Sequence, residues 1–538
     1  MMELTIYTAL PKIDDEHTNN ELYFCVASLN VKSIKNSILP NTHIIFTIDT
    51  SASMDEPMTR PFGTTKLQKV ITTIRGCLHY IQTNGQTAFI TIITFSNKAK
   101  EILSYYPSSE LGNLDFEELE KSIRDTVDYQ TNVQCALEMA SDIIATVENN
   151  GNQHSNTSHL NIVLTDGYIN IGADTSKELA TIIVNTRENL KMKQNTYTCS
   201  FIGVGEDHDY LLLRDIANKT DGTNNFLEST NNADILYADL LSPYFKNYIS
   251  NVTFSGVNQG DILFFNPQTG ETNSSEFRIP RITDNETRYI HMLSRNPCCS
   301  DLRVNYDVLT QTNIRDTKTI PIHNVIYEGE EGHTVKVFTM RMKTLDLLTQ
   351  ASRLLESENE SQNTLDDDAV ATPPALVRTD VSMNRLLAQL CKVSDPFERI
   401  KQSITSLISE ITSFKTQSKL NLSVFHNGLC DMLIKDLEFG DLALARADIP
   451  DIACMFADSR LSSQMWQKAY SIQSTVRLLQ DMERLNNGSN INSPSSVSSS
   501  SNHQLERLVT QEQIYNIYAS SGTLDVFNTI SSSVMYNA

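Results

Sequence analysis

From residue 41 to residue 250, short apolar runs alternate with longer stretches whose apolar residues recur at helical spacing. The runs at 43–48, 87–95, 160–165, 196–203 and 225–227 are bounded by polar residues and read as sheet strands. In the window 66–81, Leu67, Val70, Ile71, Ile74, Leu78 and Ile81 line one helical face, and windows 133–147 and 176–190 repeat the pattern. Asp209 is placed to cap a short helix over 210–218, because its carboxylate can accept the free amides of the first turn. Strands and helices in this alternation predict a doubly wound, Rossmann-like α/β domain built on a parallel sheet.

The flanks follow other rules. The stretch 22–31 is apolar and precedes the first strand of that sheet, and residues 251–337 hold further short β-rich runs. Leu302, Val304, Tyr306 and Val308 alternate strictly, the mark of a half-buried strand. The α/β domain is therefore expected to be inserted in, or flanked by, a β-sandwich formed by 251–337 with strands from 1–40. Helical periodicity returns at 338–355 and at 376–391, 396–414, 429–438 and 464–486. This predicts a mainly helical region over 338–485, interrupted by an acidic loop at 356–372. A Ser/Asn-rich linker at 486–503 and a C-terminal docking segment at 504–538 complete the order.

Charge narrows the function classes. The 65 acidic against 43 basic side chains leave a net charge of -22, which disfavours nonspecific binding to nucleic acid or anionic membrane. The nine cysteines include no C-x-x-C pair, so structural zinc and thioredoxin-like chemistry are not expected. The amino terminus is acidic early and broken by Pro11, unlike a secretory signal. No apolar run reaches the roughly 18 residues of a membrane helix. A cytoplasmic protein with reduced thiols is the expectation.

The chemistry concentrates at two strand ends. In F-T-I-D-T-S-A-S-M an apolar run ends on Asp49, followed by Ser51 and Ser53; in I-V-L-T-D-G another ends on Asp166. Ligands of open α/β sheets collect at the carboxyl ends of strands. Oxygen-only side chains gathered there suit a hard cation such as Mg2+.

With Thr131 of Q-T-N-V-Q-C-A-L between them, these residues resemble a von Willebrand factor type A (VWA) domain with its metal-ion-dependent adhesion site. The resemblance implies that Ser51, Ser53 and Thr131 bind Mg2+, with Mn2+ as a substitute, through their hydroxyls. Asp49 and Asp166 would act largely through waters and hydrogen bonds. It also implies that a protein partner supplies a Glu or Asp to the cation. Two departures from the family pattern stand out: Ala52 replaces a usual glycine, and Tyr129-Gln130 precede Thr131 where two glycines are common. The segment F-I-G-V-G-E-D-H-D-Y-L-L-L looks like the one that closes the sheet in intracellular members. Asp207 and His208 would line the rim there, although helix capping by the acids with His208 exposed in a loop is the simpler expectation. The outer regions, with Trp466, resemble more faintly the Vwaint region of related proteins. The Hint and RING domains found in some relatives are not evident.

The expectation is thus a metal-dependent scaffold that is not an enzyme. The alternatives are a ubiquitin-ligase-like adaptor lacking its own RING, and a scaffold whose metal site is only structural. Phosphate-ester hydrolysis would need direct carboxylate ligands and a base. His43, at the start of a strand, is expected in a core or edge role, and His154, in a polar loop, is expected to be solvated.

Overall fold

The computed structural model describes residues 2–9, 13–14, 21–32, 41–58, 63–83, 88–149, 157–191, 196–205, 208–220, 222–227, 233–245, 247–258, 260–266, 271–284, 286–296, 299, 301–309, 315–328, 332–367, 396–418 and 422–445. The expected helices at 376–391 and 464–486, Trp466, His154, Asp207, the linker and the C-terminal segment lie outside these residues.

Three strands come first: β1 (Met2–Ala9), β2 (Ile13–Asp14) and β3 (Glu21–Val31). The chain then enters the α/β unit through β4 (Asn41–Asp49), followed by β5 (Ala88–Phe95), β6 (Ala99–Pro107), β7 (Thr157–Thr165), β8 (Thr196–Val204) and β9 (Thr223–Leu227). These form one sheet in the order β6-β5-β4-β7-β8-β9. All its pairings are parallel except that of the edge strand β6 with β5. Every residue of β7 is buried, as is all of β4 after Asn41, which is the expected state of central strands covered on both faces.

Strand periodicity sorts these side chains between two layers. Ile44, Phe46 and Ile48 pack with α1 (Lys66–Thr83), α2 (Phe116–Arg124) and α6 (Ala233–Phe245). Ile45 and Val163 pack on the other face with α3 (Val133–Asn149), α4 (Ser176–Lys191) and α5 (Tyr210–Lys219). Three elements of this unit went unread in the sequence. Strand β6 pairs through irregular register at an edge, α2 is short, and α6 shows no clear apolar face and contains Pro243.

The chain leaves the unit at Phe245 and re-enters the β region with β10 (Tyr248–Gly256), which begins before the expected boundary at 250. Strands β11 (Ile262–Asn266), β12 (Glu271–Ser274), β13 (Glu276–Thr283), β14 (Glu286–Ser294), β15 (Leu302–Leu309), β16 (Arg315–Thr319) and β17 (Ile322–Glu328) follow. One sheet runs β12-β11-β14-β3-β1-β17 and the other β13-β10-β15-β16. Because β1 and β3 share a sheet with β14 and β17, the α/β unit is an insertion in a sandwich. Leu302, Val304, Tyr306 and Val308 all enter the sandwich core, as their alternation requires.

Strand β3 is buried on both sides. Cys25, Ala27, Leu29 and Val31 face the sandwich core, whereas Phe24 and Val26 face a helical bundle of α7 (His333–Asp367), α8 (Pro396–Gln417) and α9 (Val424–Ala445). Helix α7 corrects the expected acidic loop, since it continues unbroken through the acid-rich stretch to Asp367. No Pro or Gly occurs between 333 and 367, and the packed half containing Leu348, Ala351 and Leu355 supplies the nucleus from which extension is inexpensive.

Arg341 of α7 is buried and donates to His291 of β14 at 3.1 Å. Burial, and then the charge of Arg341, hold His291 well below the usual histidine pKa, so it stays a neutral acceptor. Two arginines help tie the inserted unit to its surroundings. Arg214 of α5 pairs with Glu356 of α7, and Arg281 of β13 lies over Tyr244 and Tyr248 at 4.1 and 3.9 Å while donating to Ser158 Oγ at 2.8 Å.

Phe338 joins sheet to bundle: it is buried, with its ring centroid 4.7 Å from that of Tyr289 and 5.5 Å from that of His291. Phe338→Ala is expected to cost about 3–5 kcal/mol through lost burial and a residual cavity. Urea unfolding followed by circular dichroism should show the midpoint fall accordingly, and an unchanged midpoint would refute this packing role.

Candidate metal centre

Strands β4 and β7 pair in parallel with Ile48 beside Leu164, so one more step places Asp49 beside Thr165 and Asp166 just beyond. Asp49 is fully buried at the end of β4. Its Oδ1 accepts the Ser51 amide at 2.8 Å and its Oδ2 accepts the Thr165 hydroxyl at 2.5 Å. The chain then turns through a short 3-10 helix, Ala52–Asp55, with Ser51 at its start, which brings the Ser51 and Ser53 hydroxyls to 3.0 Å. Ala52 fits this turn without strain, because the non-glycine residues with positive φ among those described are Tyr105, Asn251 and Cys299.

Asp166 follows β7 and is also buried. Its Oδ2 accepts from Lys66 Nζ at 3.2 Å, whereas its Oδ1 is buried with no hydrogen-bond partner among the described residues. Gly167 must be a glycine here. Its φ is +86°, and an added Cβ would come within 2.9 Å of the Asp209 amide nitrogen.

Backbone contacts bring Thr131 to the same rim. Its amide donates to Asn170 Oδ1 at 2.9 Å and its carbonyl accepts the Asn170 amide at 3.2 Å, which ties it to the loop after Asp166. Three residues earlier, Asp128 bridges Ser51 and donates its amide to the Thr50 carbonyl at 3.1 Å. Asn132 caps α3 by accepting the Cys135 amide at 3.1 Å. Asp49, Ser51 and Ser53 are thus joined in one turn, Asp166 follows the Thr165 that bonds Asp49, and the Thr131 backbone is tied to the loop after Asp166. Tyr129, in place of a glycine, is 86% exposed, so its ring does not fill the site.

Two participants went unread in the sequence. Thr165 was counted only as strand. Lys66 was counted only as the start of a helix, although a cation at a helix amino terminus opposes the helix dipole and so signals an acid nearby. Its side chain is 4% exposed.

His208 corrects the expectation of an exposed loop residue. It is buried, its Nδ1–H donates to the Gly205 carbonyl at 2.7 Å, and its ring lies against Gly203, where a Cβ would stand 2.2 Å from it. Asp209 does cap α5, accepting the Leu212 amide at 3.1 Å. His43 is a core residue, bonded to His159 and Thr91.

The candidate donors on these elements are two carboxylates, the two serine hydroxyls and the Thr131 hydroxyl. Among the described residues there is no group of three or more His, Cys, Asp or Glu side chains suited to a metal. An oxygen set dominated by hydroxyls still fits a hydrated Mg2+ or Mn2+, and the orphaned Asp166 Oδ1 is an acceptor that the hydration shell of such an ion would satisfy.

Burial, and next the charge of Asp166, raise the Asp49 pKa to about 7. A carboxyl whose folded pKa lies above its unfolded value near 3.8 binds more protons when folded, so stability falls as pH rises between those values. In chelator, the wild type should lose stability relative to Asp49→Asn as pH climbs from about 4 to 7. Thermal unfolding of the pair across that range checks this, and a constant gap would refute it.

Residues 43–238 match the family model described as the von Willebrand factor type A domain. No curated protein matches the chain. Among solved structures, a von Willebrand factor type A protein from Catenulispora acidiphila is 14% identical with a TM-score of 0.42, covering 66% of this chain and 82% of that one. The ArnB paralog VWA2 from Sulfolobus acidocaldarius is 14% identical with a TM-score of 0.42, covering 86% of this chain and 97% of its own. BatB from Bacteroides thetaiotaomicron is 18% identical with a TM-score of 0.26, covering 36% and 93%. With the family model lying over β4 to α6, the inserted α/β unit of this chain is a von Willebrand factor type A domain.

Proposed function

We propose that this VWA domain captures a protein partner by an acidic side chain through a divalent cation, Mg2+ or Mn2+, and that the sandwich and bundle serve as the scaffold presenting it. VWA domains commonly mediate protein–protein interaction, and the metal-dependent mode is the reading that this site's chemistry supports best. The observation that carries it is the buried, unpartnered Oδ1 of Asp166 beside a second buried carboxylate and a pair of serine hydroxyls.

In this reading Ser51, Ser53 and Thr131 contribute hydroxyl oxygens, while Asp49 and Asp166 hold the surrounding waters and hydrogen bonds in place. Asp49 already orients the turn by accepting the Ser51 amide, and Thr165 fixes its other oxygen. The bound cation would supply an electrophilic position open to a Glu or Asp oxygen from the partner.

The rim favours a protein over a small anion. Tyr129 and Tyr168, at 86% and 61% exposure, are the two most exposed of the large apolar side chains among the described residues. They sit on the loops that carry Thr131 and Asp166. Exposed tyrosines bracketing a charged anchor are typical of protein-recognition surfaces. No helix among the described residues is long and apolar enough to cross a membrane.

Calorimetric titration should give saturable Mg2+ and Mn2+ binding in the wild type, lost in Asp49→Ala and weakened in Thr131→Ala. A wild type without metal binding would remove metal-bridged capture and leave a metal-independent VWA scaffold.

A further inference from the structure

Lys66 is the one buried lysine among the described residues, and nothing in the metal-bridging scheme uses it. The chain takes trouble to put it there. Between the serine turn and α1 it makes an excursion closed by two backbone hydrogen bonds, Met58 N to Thr64 O at 3.1 Å and Lys66 N to Glu56 O at 3.0 Å, which together form the Pro57–Thr65 bridge. The excursion returns Lys66 to the start of α1 with its ammonium 3.2 Å from Asp166 Oδ2 and its side chain almost wholly buried. A lysine pays for this position twice, in desolvation and in opposition to the helix dipole.

Charge accounting gives the position a meaning. In the metal-loaded centre both buried carboxylates are ionised and carry two negative charges, of which the ammonium cancels one. A divalent cation added to that set leaves the centre one charge positive. Without Lys66 the same loaded centre would be neutral. The groups are buried, so salt in the surrounding water screens their interactions poorly.

We propose that Lys66 makes the metal-loaded centre a receptor selective for an anionic ligand, a partner carboxylate, by keeping it one charge positive while lowering its affinity for the metal alone. The proposal rests on the metal-bridged reading above and specifies its regulation: metal and carboxylate bind cooperatively, because the carboxylate neutralises the excess charge that Lys66 imposes. An ion pair to Asp166 that merely held the loop would produce no such coupling, since it would not change with the ligand's charge.

The test uses the full chain, with Mn2+ as the metal and acetate as the carboxylate probe, in chloride buffer. In the wild type, acetate should tighten Mn2+ binding by calorimetry. Lys66→Gln keeps a hydrogen-bond donor for Asp166 and removes the charge; it should bind Mn2+ about tenfold more tightly than the wild type, with the acetate effect abolished. Lys66→Arg keeps the charge and should retain both the weaker affinity and the acetate coupling. Wild-type Mn2+ binding that ignores acetate overturns the proposal without need of any variant, as does a folded Lys66→Gln protein that binds Mn2+ no more tightly. If neither wild type nor Lys66→Gln binds Mn2+ at all, the metal-bridged reading itself has failed, a result distinct from metal binding without coupling.

Discussion

Two carboxylates buried at the ends of adjacent parallel strands are the constraint around which this VWA domain is arranged. Asp49 and Asp166 lose water because β4 and β7 lie at the centre of a sheet covered on both faces. An isolated buried carboxylate would be protonated or would unfold its surroundings, so each needs neighbours that accept the charge. The Ser51 amide, the Thr165 hydroxyl and the Lys66 ammonium are those neighbours. Each makes its own demand on the chain: a tight serine turn, a threonine at the last position of β7, a folded-back excursion before α1. Even so, burial and then the charge of Asp166 leave the Asp49 pKa raised, an electrostatic cost at the strand ends.

The scaffold explains how loops can carry such a site with fixed geometry. Strand β3 is shared by the sandwich core and the helical bundle, so the two flanking units cannot shift without exposing Phe24, Val26, Cys25 or Ala27. The inserted domain is anchored to this block at its two ends. Arg281 grips the exit through Tyr244 and Tyr248, and α5 touches the bundle through Arg214, Tyr210 and Leu211. Loop residues such as Thr131 and Asn170 are then positioned by hydrogen bonds to one another on this framework.

The α/β class was legible because period and length agreed: Leu67 to Ile81 on one helical face, and an apolar run ending at Asp49, leave little alternative. The sandwich strand from Leu302 to Val308 was equally plain. What escaped lacked a periodic signal. The edge strand β6 is half exposed and irregular in register, and α6 carries an interior proline. The acidic half of α7 looked like a loop because composition suggested solvent, although a helix propagates into solvent readily once its first half is packed. At the site, the D-T-S-A-S and T-D-G segments announced the strand-end oxygens, yet Lys66 and Thr165 were hidden, since each also served the ordinary pattern of its element. His208 was misread for a related reason: nothing in the sequence tells that Gly203, bare of a side chain, leaves room for its ring.

The same strands hold a second polar assembly that bears on the first. His43 Nδ1 meets His159 Nδ1 at 3.0 Å, His159 Nε2 reaches Glu148 at 3.1 Å, and His43 Nε2 reaches the Thr91 hydroxyl at 2.9 Å. Burial, followed by the neighbouring His159, drives the His43 pKa well below its usual value, so this ring is neutral. The Glu148 carboxylate only accepts, so His159 Nε2–H donates to it, and the chain of bonds continues through the two imidazoles to the Thr91 hydroxyl. Further along, Thr47 donates to Asn161 at 2.7 Å. These bonds cross β5, β4 and β7, whose apolar positions alone would tolerate more than one alignment. A slip of one residue would send every polar group of β4 to the wrong face and leave it unsatisfied. The register that pairs His43 with His159 is the register that carries Ile48 to Leu164. The polar core at one end of the sheet therefore specifies the meeting of Asp49 with Thr165 and Asp166 at the other.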